Sequence, residues 1–489
     1  MTAPQHPLRY LARVTIQFET PFIIGGAQDD LLYDSVFVTD ANGLPAFPGS
    51  SLAGILRHAW ADAGYGNGND IFGFQKKKQG HGSRLSVSWG CIHNQEDRPV
   101  EGLIVDRTVL AKDPVLSESL VTTARDHVRI NHKGTAAKRG KFDERSVSAG
   151  HRFTFELMLE GSEADADNWQ RLLSLLRSDA IRIGGKTRRG YGQFSVVTLK
   201  SATFDISTEQ GFGAFVQHPA ALALPCRLPD ILAEQPSVPS TGVMAALTLA
   251  PEAFWMIGGG FDTDVDMAPL TANRIVWDGG KGSVDSNRAI LTGSAIKGAI
   301  SHRVTFHYNR LNDKFAKEAQ PEEHTGTKNK AVASLFGVKK EKDEKGESGS
   351  DQEAPQGLVL ESGEKKEGEK GQRGRVIISD LFINEPGPQK IINHVSIDRF
   401  TGGARTLEGA LFDEKPYYRG NEFCLNVAVV DADAITDQTI RKAFAATLLD
   451  LADGRLALGA GAGRGNGYFK GKVEWNEPGE AWLGGGNQA

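Results

Sequence analysis

One stretch of this chain occurs twice, and in the same company each time. Phe47 through Arg57 (FPGSSLAGILR) returns as Leu291 through Ile300 (LTGSAIKGAI). Ile24-Gly25-Gly26 precedes the first copy and Ile257-Gly258-Gly259 the second. Ile71-Phe72-Gly73 follows the first, and Leu335-Phe336-Gly337 the second. His127-Val128 then matches His394-Val395. Each half closes on a glycine-rich loop, Gly184 to Gly192 and Gly459 to Gly467. A single motif can recur by chance, but an ordered series restricts the chain to two tandem domains of one fold.

The strand and helix periods agree with that reading. Tyr10, Ala12, Val14, Ile16 and Phe18 alternate with polar residues, the period of a strand with one buried face. After Ser50 the spacing turns helical, with Leu52, Ile55, Leu56 and Ala59 on one face. Ser50 or Ser51 is the expected N-cap, and Ser294 its counterpart in the second copy. A second helix is predicted near 169–178 and its equivalent near 436–452. Each is followed by the glycine loop and a final strand. This is an α+β plan resembling a ferredoxin-like sheet with large insertions. Domains are expected over 1–205 and 243–489. The proline-containing segment 206–242 should link them, and the charged, apolar-poor insert 339–375 should be disordered.

Composition narrows the function. The net charge of -5 does not by itself suggest nucleic acid, but acidic and basic residues are segregated along the chain. Three scattered cysteines argue against a disulfide framework and against a structural zinc site, and they fit a reducing cytoplasmic setting. The start of the sequence has no signal pattern, and no apolar run approaches the ~20 residues of a membrane span.

Four groups of residues could carry chemistry. Lys186, Arg188 and Arg189 place charge on the first glycine loop, where backbone N–H groups can approach a phosphate, and Tyr191 could stack on a base. Arg464 and Tyr468 sit on the second loop. A nucleotide-binding P-loop is rejected, because Ala180 stands where its first glycine is required. Gly49-Ser50-Ser51 and Ser294 open helices, whose free N–H groups attract anions. As the family resemblance set out below implies, Lys297 and, where lysine is missing, Arg57 would add charge on those helices. Each half has an irregular insert that interleaves basic and aromatic residues: Arg125, His127, Arg129, His132 and Lys133, then His394, Arg399 and Phe400. Last, Asp29, Asp30 and Asp34 follow Gly26, and Asp262, Asp264 and Asp266 follow Gly259. A carboxylate beside a phosphate-binding surface could accept a ribose proton or hold a divalent ion.

The ordered motifs resemble the RAMP superfamily of CRISPR-associated proteins, over nearly all of the chain except the linker and the charged insert. The resemblance implies two RNA-recognition-like domains with thumb-like hairpins, and a tandem, type III-D-like backbone subunit. Its partners would be CRISPR guide RNA, target RNA and other effector subunits, with no membrane. The family's slicing domains carry an aspartate after the early Gly-Gly, just before an apolar strand. Asp34, preceding Ser35-Val36-Phe37-Val38, matches it. In the second half two registers are open. One gives Asp266, with Asp264 second, and the other aligns Asn273. The implied reaction is attack of a ribose 2′-hydroxyl on its neighbouring phosphate, with Mg²⁺ or another divalent ion expected. A non-cleaving, guide-binding subunit is the alternative. Guide processing would want a histidine at a terminal loop, and His58, His127 and His394 all lie elsewhere. Ala53 departs from the family, which often has lysine there; Lys297 keeps it.

Overall fold

The computed structural model of the chain describes residues 5–25, 38–77, 79–131, 133–178, 180–234, 242–260, 264–314, 324–338, 371–405 and 411–484, with Arg139 described by its backbone alone. The first half runs β1 (Leu8–Phe18), α1 (Gly49–Asp62), β2 (Leu85–Val87), β3 (Arg152–Gly161), α2 (Ala166–Leu175) and β4 (Phe194–Asp205). Its sheet has the order β2-β3-β1-β4, with antiparallel pairing throughout. The second half repeats this with β5 (Val243–Pro251), α3 (Gly293–Leu311), β6 (Val376–Ile378), β7 (Phe423–Val429), α4 (Gln438–Ala452) and β8 (Phe469–Trp475). The order there is β6-β7-β5-β8. Each half is therefore a β-α-β-β-α-β ferredoxin-like domain.

The repeat holds at the level of register. Leu159 pairs with both Leu85 and Tyr10, and Val429 with both Val376 and Val243. The apolar face of β1, Tyr10 to Phe18, is buried against the helices, as are Val243, Ala245, Leu247 and Leu249 of β5. Leu52, Leu56 and Trp60 on α1 meet that face at a four-residue spacing. Ile296, Ile300 and Val304 do so on α3. Each such aliphatic residue contributes about 1.5–3 kcal/mol on burial. The motif glycine has a packing origin. A Cβ on Gly49 would stand 2.0 Å from the carbonyl oxygen of Val87, and one on Gly293 2.3 Å from that of Ile378. Only glycine lets the helix start press on the edge strand.

Two expectations need correction, the helix caps and the far end of the charged insert. The caps are Pro48, which makes no side-chain cap bond, and Thr292, whose side chain accepts from the amide of Ala295. Ser50, Ser51 and Ser294 lie inside their helices, because the extended backbone at Pro48 and Thr292 lets the first turn begin at the glycine. The expected linker is folded where it is described. Glu209–Val216 is helical, and Arg13 donates to the carbonyls of Pro219 and Leu224 at 2.7 and 2.8 Å. Of the charged insert, 339–370 lies outside the described residues, whereas Gln372–Arg373 pairs with Gly337–Val338.

The halves meet along a seam. A hairpin of the second half, Thr271–Asp278 with Lys281–Leu291, lies on the first. Ile275 N–H donates to the carbonyl of Ala149 and the Trp277 indole to that of Gly150, both at 2.8 Å. The Arg152 guanidinium lies 4.5 Å over the Trp277 ring. Deeper in, Asp380 accepts from Arg125 at 2.5 Å and from the amide of Gly293 at 2.8 Å. Its own amide donates to Gly190.

Candidate nucleic-acid interface

Each half projects an antiparallel hairpin beside its glycine loop, Thr123–Ile130 with Ala136–Ser146 and Ile392–Val395 with Leu411–Glu414. The same three-residue clamp roots both. In the first, His127 stacks on Phe142 at 5.0 Å, and the Arg189 guanidinium lies 5.0 Å from the centre of that ring. In the second, His394 stacks on Phe412 at 4.7 Å, with Arg464 at 5.5 Å. Under each clamp lies a fully buried acid. Glu144 pairs with Arg189, with Lys186 at 3.0 Å and with His127 at 3.4 Å. Glu414 pairs with His394 at 3.0 Å and Arg464 at 2.5 Å. Burial pushes the Glu144 carboxyl up. The bonds from His127 and Lys186 and the charge of Arg189 outweigh that and hold it at about 2.

These acids were not legible as a hub. The paired sequences Phe142-Asp143-Glu144 and Phe412-Asp413-Glu414 were the available signal. The cations they hold keep part of their surface: side-chain exposure is 45% for Arg189 and 38% for Arg464. Arg129, Lys133 and Arg399 are exposed on the hairpins, and Phe400 is 85% exposed with Arg399 at 4.9 Å from its ring. Tyr468 is half-buried, its hydroxyl 3.5 Å from the carbonyl of Ala462. His132 lies outside the described residues.

Other predicted contact residues have partners within the fold. Tyr191 is fully buried, with Arg125 at 5.3 Å from its ring, so it cannot stack on a base. Burial raises its hydroxyl above the usual range. Gly49 is buried against β2, and Arg57 spends its guanidinium on the Gly73 carbonyl and Asn69. Arg188 and Lys297 lie in the seam. Arg188 donates to the Gly374 carbonyl at 3.0 Å, and Lys297 to the Arg188 carbonyl at 3.1 Å. Burial, then the nearby Arg373 and Arg182, pushes Arg188 down to about 10. Burial, then Arg188 and Arg189, pushes Lys297 down to about 8. An anion there would relieve the repulsion.

The early loops carry the carboxylates. Val38 donates to the Ile24 carbonyl at 2.9 Å, and Leu270 to the Ile257 carbonyl at 2.7 Å. Those two bonds put Val38 and Leu270 at equivalent places. Counting back four residues gives Asp34 in one half and Asp266 in the other. Asp29, Asp30, Asp34 and Asp262 lie outside the described residues. Asp266 is exposed at the root of the second hairpin, where its amide donates to Asp413 at 2.7 Å and its Oδ2 accepts from the Asp413 amide at 3.1 Å. Asp264 is exposed two residues upstream. Asn273 is half-buried at the seam, 3.2 Å from both carboxylate oxygens of Glu118.

Two ferredoxin-like domains, each with a clamped hairpin and a basic glycine loop, define a tandem RNA-recognition-like protein. Comparison with known families matches residues 15–195 and 253–470 to the RAMP superfamily. The chain belongs to that superfamily, whose members are CRISPR-associated RNA-binding subunits of multi-subunit complexes. No curated protein matches it. Among the described residues, no helix is long and apolar enough to cross a membrane.

Proposed function

We propose that this chain is a guide-RNA-binding backbone subunit of a type III, III-D-like, CRISPR effector that cuts complementary target RNA with Asp34 and Asp266. The carrying observation is the exposed Asp266, bonded reciprocally to Asp413 one residue from the Glu414 clamp. That puts an exposed carboxylate one strand residue from the acid that holds His394 and Arg464. RNA lying along hairpin and glycine loop would bring its phosphates to Arg189, Arg464 and the seam cations, where repulsion already favours an anion.

In the proposed reaction the ribose 2′-oxygen forms a bond to the adjacent phosphorus and the bond to the 5′-oxygen breaks. The products are a 2′,3′-cyclic phosphate and a 5′-hydroxyl. Asp266 takes or orients the 2′-hydroxyl proton, and a proton reaches the leaving oxygen from water or a protonated side chain. Arg464 and His394 bind and orient the phosphate against in-line attack. Among the described residues no group of three or more His, Cys, Asp or Glu side chains could hold a metal. The oxygen donors of Asp266 and Asp413 still suit Mg²⁺, which takes one or two carboxylates and completes its shell with water and phosphate. When bound, the ion would stabilise charge building on the phosphate.

The test is cleavage of labelled complementary RNA by the assembled effector, with and without Mg²⁺. Asp34→Ala and Asp266→Ala should each abolish one product, and the double variant all of them, while guide and target binding persist. If the double variant leaves every product intact, the chain is a scaffold and the nuclease lies elsewhere.

A further inference from the structure

Both clamps are built on one run of residue types, and the proposed cleavage uses only part of it. Phe142-Asp143-Glu144-Arg145 and Phe412-Asp413-Glu414-Lys415 each place an aspartate before the buried acid and a cation after it. The hairpin registers make the runs equivalent, since His127 faces Phe142 and His394 faces Phe412. Side chains alternate along a strand, so each glutamate points into its clamp while the aspartate and the cation share the other face. Burial follows that alternation. Glu144 and Glu414 are buried, whereas Asp143, Arg145, Asp413 and Lys415 keep part of their surface. In the second half this other face meets the carboxylate loop. The Asp413 side chain accepts from the Asp266 amide at 2.7 Å. The Met267 amide donates to the Asp413 carbonyl at 3.1 Å, and the Lys415 amide to the Met267 carbonyl at 3.0 Å. Asp266 and Lys415 therefore stand on neighbouring segments, two residues apart along the ladder. That is about 6.6 Å, a span the four-carbon stem of a lysine can cross.

We infer that Lys415 is a catalytic residue of the second cleavage site and gives its proton to the 5′-oxygen that leaves. This rests on the cleavage proposed for Asp266. The cations around Lys415 are committed elsewhere. His394 and Arg464 pair with Glu414, Arg288 lies 3.4 Å from Asp285 and donates to the Asn384 carbonyl at 3.1 Å, and Lys390 sits 4.1 Å from the centre of the Tyr418 ring. Among the described residues Lys415 makes no ion pair, with Asp266 or any other acid. It faces a cavity of about 740 Å³, lined also by Ala268, Leu270, Arg288, Gln389 and Tyr417. An unpaired ammonium near an exposed carboxylate, with open space on one side, leaves room for a phosphate between the two. The reaction needs a donor there. As the 2′-oxygen bonds to phosphorus, its proton goes to Asp266 and the bond to the 5′-oxygen breaks. The Lys415 ammonium passes a proton to that oxygen, becomes an amine, and regains a proton from water. Without this donor the leaving group is an alkoxide, and a general acid is worth about 10²–10⁴-fold. In the first half Arg145 holds the matching place, with its guanidinium donating to the Thr122 hydroxyl at 3.2 Å.

Single-turnover cleavage of labelled complementary RNA by the assembled effector, in Mg²⁺, tests this. Lys415→Ala should slow the product that depends on Asp266 by at least ~100-fold, with guide and target binding kept. A second RNA carries sulfur in place of the 5′-oxygen at that linkage, and a thiolate leaves without a proton. On this RNA Lys415→Ala should cut within ~10-fold of wild type, because the missing acid is no longer needed, while Asp266→Ala stays inactive. Lys415→Ala cutting ordinary RNA at the wild-type rate, while Asp266→Ala loses the product, overturns the assignment and leaves the cleavage reading standing. A loss that sulfur does not restore overturns it equally. An Asp266→Ala effector that still makes the product overturns both.

Discussion

Asp380→Ala should cost the folded chain about 4 kcal/mol. The carboxylate is fully buried and serves both halves, accepting from Arg125 at 2.5 Å and from the Gly293 amide at 2.8 Å. Alanine would strand a guanidinium that is itself 4% exposed, together with an amide at a helix start. Removing one partner of a buried ion pair costs about 3–5 kcal/mol, because the remaining charge stays desolvated. The orphaned amide adds about 1 kcal/mol. The two terms share one group and do not simply add. Urea unfolding, followed by tryptophan fluorescence and by far-ultraviolet circular dichroism, measures the loss and detects separate melting of the halves. Arg125→Met in the same background removes the stranded guanidinium and should recover at least about 1 kcal/mol. A loss below about 1 kcal/mol for Asp380→Ala, or a double variant no more stable than the single one, refutes the reasoning.

Gly49→Ala and Gly54→Ala should move stability in opposite directions. The first forces a Cβ to 2.0 Å from a backbone oxygen, and the second has nothing within 4 Å in mid-helix. Thermal melts should show a loss of several degrees for Gly49→Ala and a gain of about 0.5–1 kcal/mol for Gly54→Ala. His151 is fully buried, and burial holds its imidazole down to about 3. The native state then refuses a proton that the unfolded chain takes near pH 6.5. Stability is full above that value and falls as the pH drops towards 3, by about 2 kcal/mol at pH 5. Denaturation at pH 7 and pH 5 should show this loss in wild type and a smaller one in His151→Gln.

The fold was legible because its repeat is written in residues with little freedom. A strand with one apolar face, a helix with Leu52 and Leu56 four apart, and a glycine pressed on an edge strand recur in both halves. The helix starts were misread because serine is a good cap in general, whereas the backbone at Pro48 and Thr292 had already turned extended. The basic residues were harder, since a charge in sequence does not name its partner. Arg189 finds Glu144 at a separation of 45 residues, and Arg125 finds Asp380 at 255. Tyr191 looked like a stacking base partner and is a core residue, held there by a guanidinium from a hairpin far back along the chain. The family resemblance offered both Asp266 and Asn273 for the second half. Asn273 is tied to Glu118 across the seam, a contact no local pattern reports.

Asp380 also makes the two copies of the Gly-Ser motif unequal. In the second, a carboxylate rests against the first amide of the helix. In the first, Gly90 bridges Phe47 as Leu381 pairs with Leu291, so the matching position is Trp89, which carries no charge. A phosphate approaching these two helix starts meets an anion at one and none at the other. A polyanion threading both domains would find that contact once per chain, so its chemical period on this protein is set by the pair of domains and not by the single domain.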